Sequence, residues 1–348
     1  AQERFMNSTR HWLDGLKLRA SYGVIGNQNI NPYTFTPSMS VNNKATSWII
    51  DDTYVTSISS LPALVSQNFT WEKVGTINVG LDVNLFNNRL SGVFEWYQRN
   101  TNGMLAPGVQ LPAVVGASAP YQNTADMRTR GWELSLNWRD QIGKVGYRIG
   151  FNLSDYKSEI IKYDDNAATK LLSSYYPGQT LGEIWGYVVD GYYTVDDFVD
   201  TSSWQLKEGV TSINGYNVRP GDVKFKNLRD DDTSTNVITS GDNTFDNPGD
   251  RKVIGNTTPR YQYGINLGMN YAGFDLNVIL QGTGKRDYWI SNVLTFPMNG
   301  DNFVPLFEGL SDYWMPKDPD NGDWSAVNPN AKYPRIYGNR GNSGSNQR

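Results

Sequence analysis

The sequence predicts an all-β fold, an antiparallel transmembrane β-barrel segment of about seven strands, and three observations point there. Seven segments alternate apolar and polar residues with a period of two, the spacing that puts one residue type on each face of a strand. Short and long connections between these segments alternate without exception, which in an antiparallel meander places short turns at one end and long loops at the other. Aromatic residues make up 13% of the 348, including 11 Trp and 21 Tyr, and there are 34 Gly and 16 Pro, a composition of strands and turns. Mean hydropathy is only −0.54, as it must be where an apolar and a polar face average out.

Taken in order, the first segment sets Leu16, Leu18, Ala20, Tyr22 and Val24 against Lys17, Arg19 and Ser21. The second sets Ile77, Val79, Leu81, Val83 and Leu85 against Asn78, Gly80, Asp82 and Asn84. In the third, Leu90, Phe94 and Trp96 oppose Ser91, Glu95 and Arg99, with Val93 and Tyr97 blurring the polar side. The fourth is the most regular, Trp132, Leu134, Leu136 and Trp138 against Glu133, Ser135, Asn137 and Arg139. The fifth opposes Val145, Tyr147, Ile149, Phe151 and Leu153 to Arg148, Asn152 and Ser154. Tyr263, Ile265, Leu267, Met269 and Tyr271 form the apolar side of the sixth, and Phe274, Leu276, Val278 and Leu280 that of the seventh.

Tight hairpins join the second and third segments at Phe86-Asn87-Asn88-Arg89, the fourth and fifth at Asp140-Gln141-Ile142-Gly143, and the last two at Ala272-Gly273. The remaining links cover about residues 26 to 73, 102 to 125, 156 to 259, and 284 onward. Alternation alone leaves a soluble two-sheet sandwich open. Segments of about ten residues suit a tilted membrane strand, aromatics bracket the apolar stripes as interfacial girdles do, and a link of about a hundred residues burdens a compact sandwich. All three favour the barrel. Seven is odd and bacterial single-chain barrels close with an even number, so the segments read as part of a larger barrel.

Other classes are poorly supported. The 31 basic and 35 acidic residues give a net charge of −4 without any Lys/Arg cluster, which argues against a nucleic-acid partner. With no cysteine there is no disulfide or thiolate chemistry. His11 is the only histidine and precedes the first strand, a poor position for a Ser-His-Asp arrangement. The acidic pair Asp164 and Asp165 is the kind of coincidence that 35 carboxylates produce, so no enzyme is expected.

Several stretches occur in collinear order. They are Leu16-Lys17-Leu18-Arg19-Ala20-Ser21-Tyr22-Gly23 with Gly26-Asn27-Gln28, Trp71-Glu72-Lys73 with Asn78-Val79-Gly80-Leu81-Asp82, Asn87-Asn88-Arg89-Leu90-Ser91-Gly92, and Arg130-Gly131-Trp132-Glu133-Leu134. Gly186-Tyr187, Asp190-Gly191, Pro220-Gly221-Asp222-Val223-Lys224, Pro259-Arg260-Tyr261, Phe274-Asp275-Leu276 and Gln281-Gly282 follow. This series resembles the SusC/RagA family of TonB-linked outer-membrane transporters of Bacteroidetes. The resemblance implies the later part of a plugged barrel of about 22 strands, without the plug domain and the closing strands. It also implies a place in the outer membrane of a Gram-negative bacterium, with the long loops extracellular. Implied partners are the lipid bilayer, the TonB complex, a SusD-like surface lipoprotein, and an oligosaccharide or peptide substrate to be imported.

Two sets of candidate site residues follow. Flat aromatic faces stack on sugars and anchor protein interfaces, which makes Trp185, Trp204, Trp289, Trp314 and Trp324 the candidates for contact with substrate or lid. The resemblance also implies a calcium-like acidic loop after the Pro-Gly-Asp motif. Its positions here read Asn227, Arg229 and Asp231, with Asp250-Arg251 after an insertion. An arginine where an oxygen ligand belongs argues against calcium or magnesium, so no cofactor is expected and Asp231 and Asp250 are weak metal candidates.

Overall fold

The structure is a computed structural model and describes residues 8–9, 11–28, 36–39, 41–42, 49–50, 53–54, 58–59, 62–66, 70–166, 168–172, 175–229, 236–289 and 308–336. Two compact units emerge: one holds residues 1–169, 174–181 and 258–286, the other residues 170–173, 182–257 and 287–348. Among the described residues no helix is long and apolar enough to cross a membrane, which says nothing of strands.

The first unit is built on one seven-stranded sheet whose order follows the sequence. Its strands are β1 (Leu13–Asn27), β2 (Glu72–Leu85), β3 (Leu90–Pro107), β4 (Tyr121–Ile142), β5 (Val145–Tyr163), β6 (Arg260–Tyr271) and β7 (Phe274–Lys285), and every neighbouring pair is antiparallel. All seven expected segments are present. β1 and β7 are the outer strands of this sheet, and closure into a barrel is not seen among the described residues.

Pairing is in phase across the sheet. One register row runs Leu16, Val83, Gly92, Leu136, Phe151, Ile265, Leu280 from β1 to β7. Because side chains alternate with period two, this puts the apolar set of every strand on one face. A second row, Arg19, Gly80, Glu95, Glu133, Ser154, Gln262, Thr283, marks the polar face. Aromatics gather toward the ends of the apolar face. Trp96 pairs with Trp132, Phe94 stacks on Trp132 at 6.4 Å, and at the hairpin end the Trp138 indole donates to the Tyr147 hydroxyl at 3.3 Å.

The strands outrun the alternation that revealed them. β4 has 22 residues and β5 has 19, whereas a membrane strand needs about 9 to 11. Register shifts lie between Thr101 and Met104 and between Asp126 and Met127. Beyond them the arms of β3, β4 and β5 carry a small core of Ala106, Ala125, Ile160 and Tyr163. The links expected at 102 to 125 and 156 to 259 are therefore shorter, at residues 108–120 and 164–259. Bulges break the two-residue period, so these arms leave no alternating signal.

Among the described residues, the second unit holds two-stranded pairings and no large sheet. Glu183–Tyr187 pairs with Arg251–Asn256, Val189–Tyr192 with Val223–Phe225, and Pro316–Asp318 with Asp323–Ala326, all antiparallel, while Ser212–Ile213 pairs with Val237–Ile238 in parallel. Two adjoining clusters form its interior, one of Tyr193, Phe198 and Val218, the other of Val223, Phe225 and Ile238.

The last hairpin provides a direct test of the backbone geometry. Ala272 and Gly273 both have positive φ, 50° and 86°, the two-residue turn whose twist matches its strands. Ala272→Gly should be neutral or slightly stabilising, whereas Gly273→Val should cost about 1 to 3 kcal/mol, since a β-branched residue is strained there. Unfolding of the full-length parent in detergent reads both. Equal effects of the two substitutions would contradict this turn.

Candidate functional site

Irregular backbone cannot satisfy its own donors, so the second unit recruits buried carboxylates. Asp222 and Asp250 are both fully buried. In the Pro220-Gly221-Asp222 motif, Gly221 has φ 88° and lies so close under Trp314 and Arg335 that a Cβ there would overlap both. Asp222 accepts from the Arg219 backbone N–H at 2.8 Å and from Arg335 Nη2 at 3.2 Å. The motif's backbone also joins two distant segments, through Gly221 N–H to Tyr193 O at 2.8 Å and Arg335 N–H to Gly221 O at 2.9 Å. Only glycine combines that dihedral with that closeness.

Asp250 serves the neighbouring loop. Its Oδ1 accepts from the Leu228 and Arg229 backbone N–H groups at 2.8 and 3.3 Å, and its Oδ2 from the Thr239 N–H at 2.7 Å. Both oxygens are thus engaged by main chain. Arg229 directs its guanidinium at Asn247 Oδ1 (3.1 Å) and the Asp246 carbonyl (3.3 Å). Positive charge reaches these loop oxygens from a side chain. Asp231 lies outside the described residues. Among the described residues no group of three or more His, Cys, Asp or Glu is arranged to hold a metal ion.

Of the candidate aromatics, the structure brings two into contact. Trp204 meets Trp324 edge-on at 5.0 Å and Phe198 at 5.4 Å, and Phe198 in turn lies 6.2 Å from Tyr193. Arg219 sits over the Trp204 ring at 5.2 Å and Arg335 over Trp324 at 5.9 Å. Trp314 is only 3% exposed, enclosed beside Gly221 and Arg335. Trp185 is held separately, its indole donating to Glu183 at 2.7 Å and its ring edge-on to Phe245 at 6.4 Å. Trp289, 44% exposed, presents the most open indole of the five. Tyr193 at the cluster's centre is fully buried and donates to Thr211 O at 2.6 Å; burial pushes its phenol up to about 12.

Sequence reasoning missed the polar clasps of the first unit. Arg19 on β1 reaches Asp82 on β2 and Glu95 on β3, at 2.7 Å each. Asp155 on β5 takes a bidentate pair from Arg260 of β6 where the apolar face gives way to the arms. Neither clasp is visible along the chain, because each partner is chosen by the register of a different strand.

Two outcomes are expected. Asp250→Ala removes a fully buried carboxylate that accepts from three main-chain N–H groups and should destabilise the second unit by on the order of 3 kcal/mol, equally with calcium and with chelator; a loss that chelator alone reproduces would contradict this role. A phenol near 12 in the fold against about 10 when unfolded stabilises the fold fully below pH 10, and this contribution fades as the pH climbs from 10 through 12. The ultraviolet difference between parent and Tyr193→Phe should therefore show phenolate forming near pH 12, and a midpoint near 10 would contradict the burial.

No protein-family model matches the chain. TonB-dependent receptor P3 of Formosa agariphila is 29% identical over 301 residues, 81% of this chain and 27% of the receptor. TonB-dependent receptor SusC of Bacteroides thetaiotaomicron is 31% identical over 164 residues, 46% of this chain and 16% of the receptor. Among solved structures, the RagAB peptide importer in its open-open state aligns with a TM-score of 0.56 and 24% identity over 78% of this chain and 26% of that one, a likeness of fold. The chain spans 27% and 30% of the length of the two Formosa agariphila receptors P3 and P26. In sequence the chain is similar to TonB-dependent receptors, SusC among them, and in strand architecture to part of the RagAB peptide importer.

Proposed function

We propose that this chain forms part of the wall of an outer-membrane importer of the TonB-dependent type, with its apolar face toward lipid and its polar face toward the lumen. One observation carries the reading. On strands paired on both sides, apolar side chains such as Leu81, Phe94, Ile149 and Met269 remain 37% to 46% exposed. A sandwich would cover that face with a second sheet. Lipid is the solvent that such a face needs, and strands whose backbone groups are paired sideways can enter it.

The importer reading extends to oligomeric nutrients, glycan or peptide, taken up with a SusD-like surface lipoprotein and driven through TonB. Similarity to SusC and the shared fold with the RagAB peptide importer support it. The long connections then belong outside the cell and the hairpins in the periplasm. Loop aromatics, Trp289 above all, are the surfaces we assign to substrate or lid. Transport, not catalysis, is the activity.

The test reads lipid contact in the full-length parent. Spin labels at Leu134 and Leu136 should be relaxed by lipid-soluble oxygen and shielded from a water-soluble agent, with the reverse at Ser135 and Asn137. Leu136→Arg should cost about 2 to 4 kcal/mol near the bilayer midplane, and Asn137→Arg much less. Equal accessibility on both faces would refute the membrane assignment.

A further inference from the structure

Four Asn-Gly pairs occur in the chain, Asn102-Gly103, Asn214-Gly215, Asn299-Gly300 and Asn321-Gly322, and the third lies outside the described residues. In such a pair the glycine nitrogen is a nucleophile beside the asparagine side-chain amide, and glycine hinders its approach least because it has no side chain. An N–H held in a hydrogen bond must first give that bond up. The fold therefore sorts the three described pairs by what each glycine N–H and each asparagine amide is doing.

Two pairs are closed off. Gly103 lies within the register shift of β3, and its N–H donates to Asp126 Oδ1 at 2.8 Å, while Asn102 is itself paired with Lys73 of β2. The Gly322 N–H donates to Pro319 O at 3.2 Å, and the Asn321 amide donates to Asp318 Oδ2 at 2.8 Å. Asn214-Gly215 is different. It forms the tip of a tight turn closed by the Tyr216 N–H on Ile213 O at 3.1 Å, and both of its residues are exposed. Among the described residues neither the Asn214 amide nor the Gly215 N–H has a hydrogen-bond partner. No atom beyond the chain neighbours lies within 4 Å of where a Cβ on Gly215 would stand.

We propose that Asn214 is a site of spontaneous deamidation, with water as the co-reactant. The Gly215 nitrogen bonds to Asn214 Cγ and gives up its proton, the bond from Cγ to Nδ2 breaks, and ammonia leaves with that proton, closing a cyclic imide. Water then opens the ring. Opening at the former side-chain carbonyl gives aspartate, and opening at the main-chain carbonyl gives isoaspartate, whose chain continues through Cγ. In sum one water is consumed and one ammonia released. Isoaspartate adds a carbon to the main chain beside Ile213, which packs on both buried clusters, that of Tyr193 and that of Val223. The modification thus reaches the interior of the second unit from its surface, and it does not depend on the importer reading.

The experiment ages the full-length parent in detergent at neutral and mildly alkaline pH. Peptide mass spectrometry follows the three asparagines, and isoaspartyl methyltransferase labelling identifies the linkage. Asn214 should convert on the order of tenfold faster than Asn102 and Asn321, mainly to isoaspartate, and faster at the higher pH because the attacking nitrogen must lose its proton. Asn214→Gln should abolish the fast conversion. In denaturant the three rates should converge, since only the fold separates them. The aged parent should unfold more readily than Asn214→Asp, which carries the charge without the extra main-chain carbon. Equal rates in the folded parent, or a lead of Asn214 that persists unchanged in denaturant, would overturn the proposal. An aged parent as stable as Asn214→Asp would overturn the effect on the two clusters.

Discussion

The phase of strand pairing is the constraint on which everything else in the first unit rests. A slip of one residue at any of six interfaces would carry a whole apolar set to the polar face. At three interfaces a hairpin sets the register: β2 with β3, β4 with β5, and β6 with β7. The other three are joined by long connections, which exert no such control. There the structure places polar clasps instead. Arg19 binds Asp82 across β1 and β2, Arg130 donates to Gln98 at 2.8 Å across β4 and β3, and Asp155 takes Arg260 across β5 and β6.

These clasps also explain how a long connection can vary without disturbing the sheet. Loop closure constrains register only when the loop is short, since its entropy grows slowly with length. Side-chain pairs between strands must then supply the specificity, and charged groups in a half-buried setting do so with geometry as well as energy. Bulges near Met104 and Met127 lie beyond the in-phase rows. The arms can therefore twist away without breaking the continuity of either face.

The second unit solves a different problem. Its described residues form only short strand pairs, so many of their backbone donors lie outside a ladder, and buried N–H groups without partners are costly. Asp222 and Asp250 meet this need from inside, Asp222 accepting from the Arg219 N–H and the Arg335 side chain and Asp250 from three main-chain donors. Around Asp222 the indoles of Trp314, Trp324 and Trp204 are packed by Gly221, Arg335 and Arg219. These three indoles are thus committed to holding the unit together.

The sequence by itself determined the strands, their faces and their tight turns, because period-two alternation and turn residues are local properties that neighbouring residues express. It also carried the ordered series of motifs that resembles SusC/RagA transporters, from Leu16-Lys17-Leu18 to Gln281-Gly282. Only the tertiary structure decided that Asp250 is a main-chain acceptor with both oxygens engaged, that Trp314 is enclosed, and that Arg139 and Arg148 are register partners. Each of these depends on which residue of one strand or loop lies beside which residue of another. Separation along the chain carries no record of that choice, and it is made when register, bulges and buried hydrogen bonds are satisfied together.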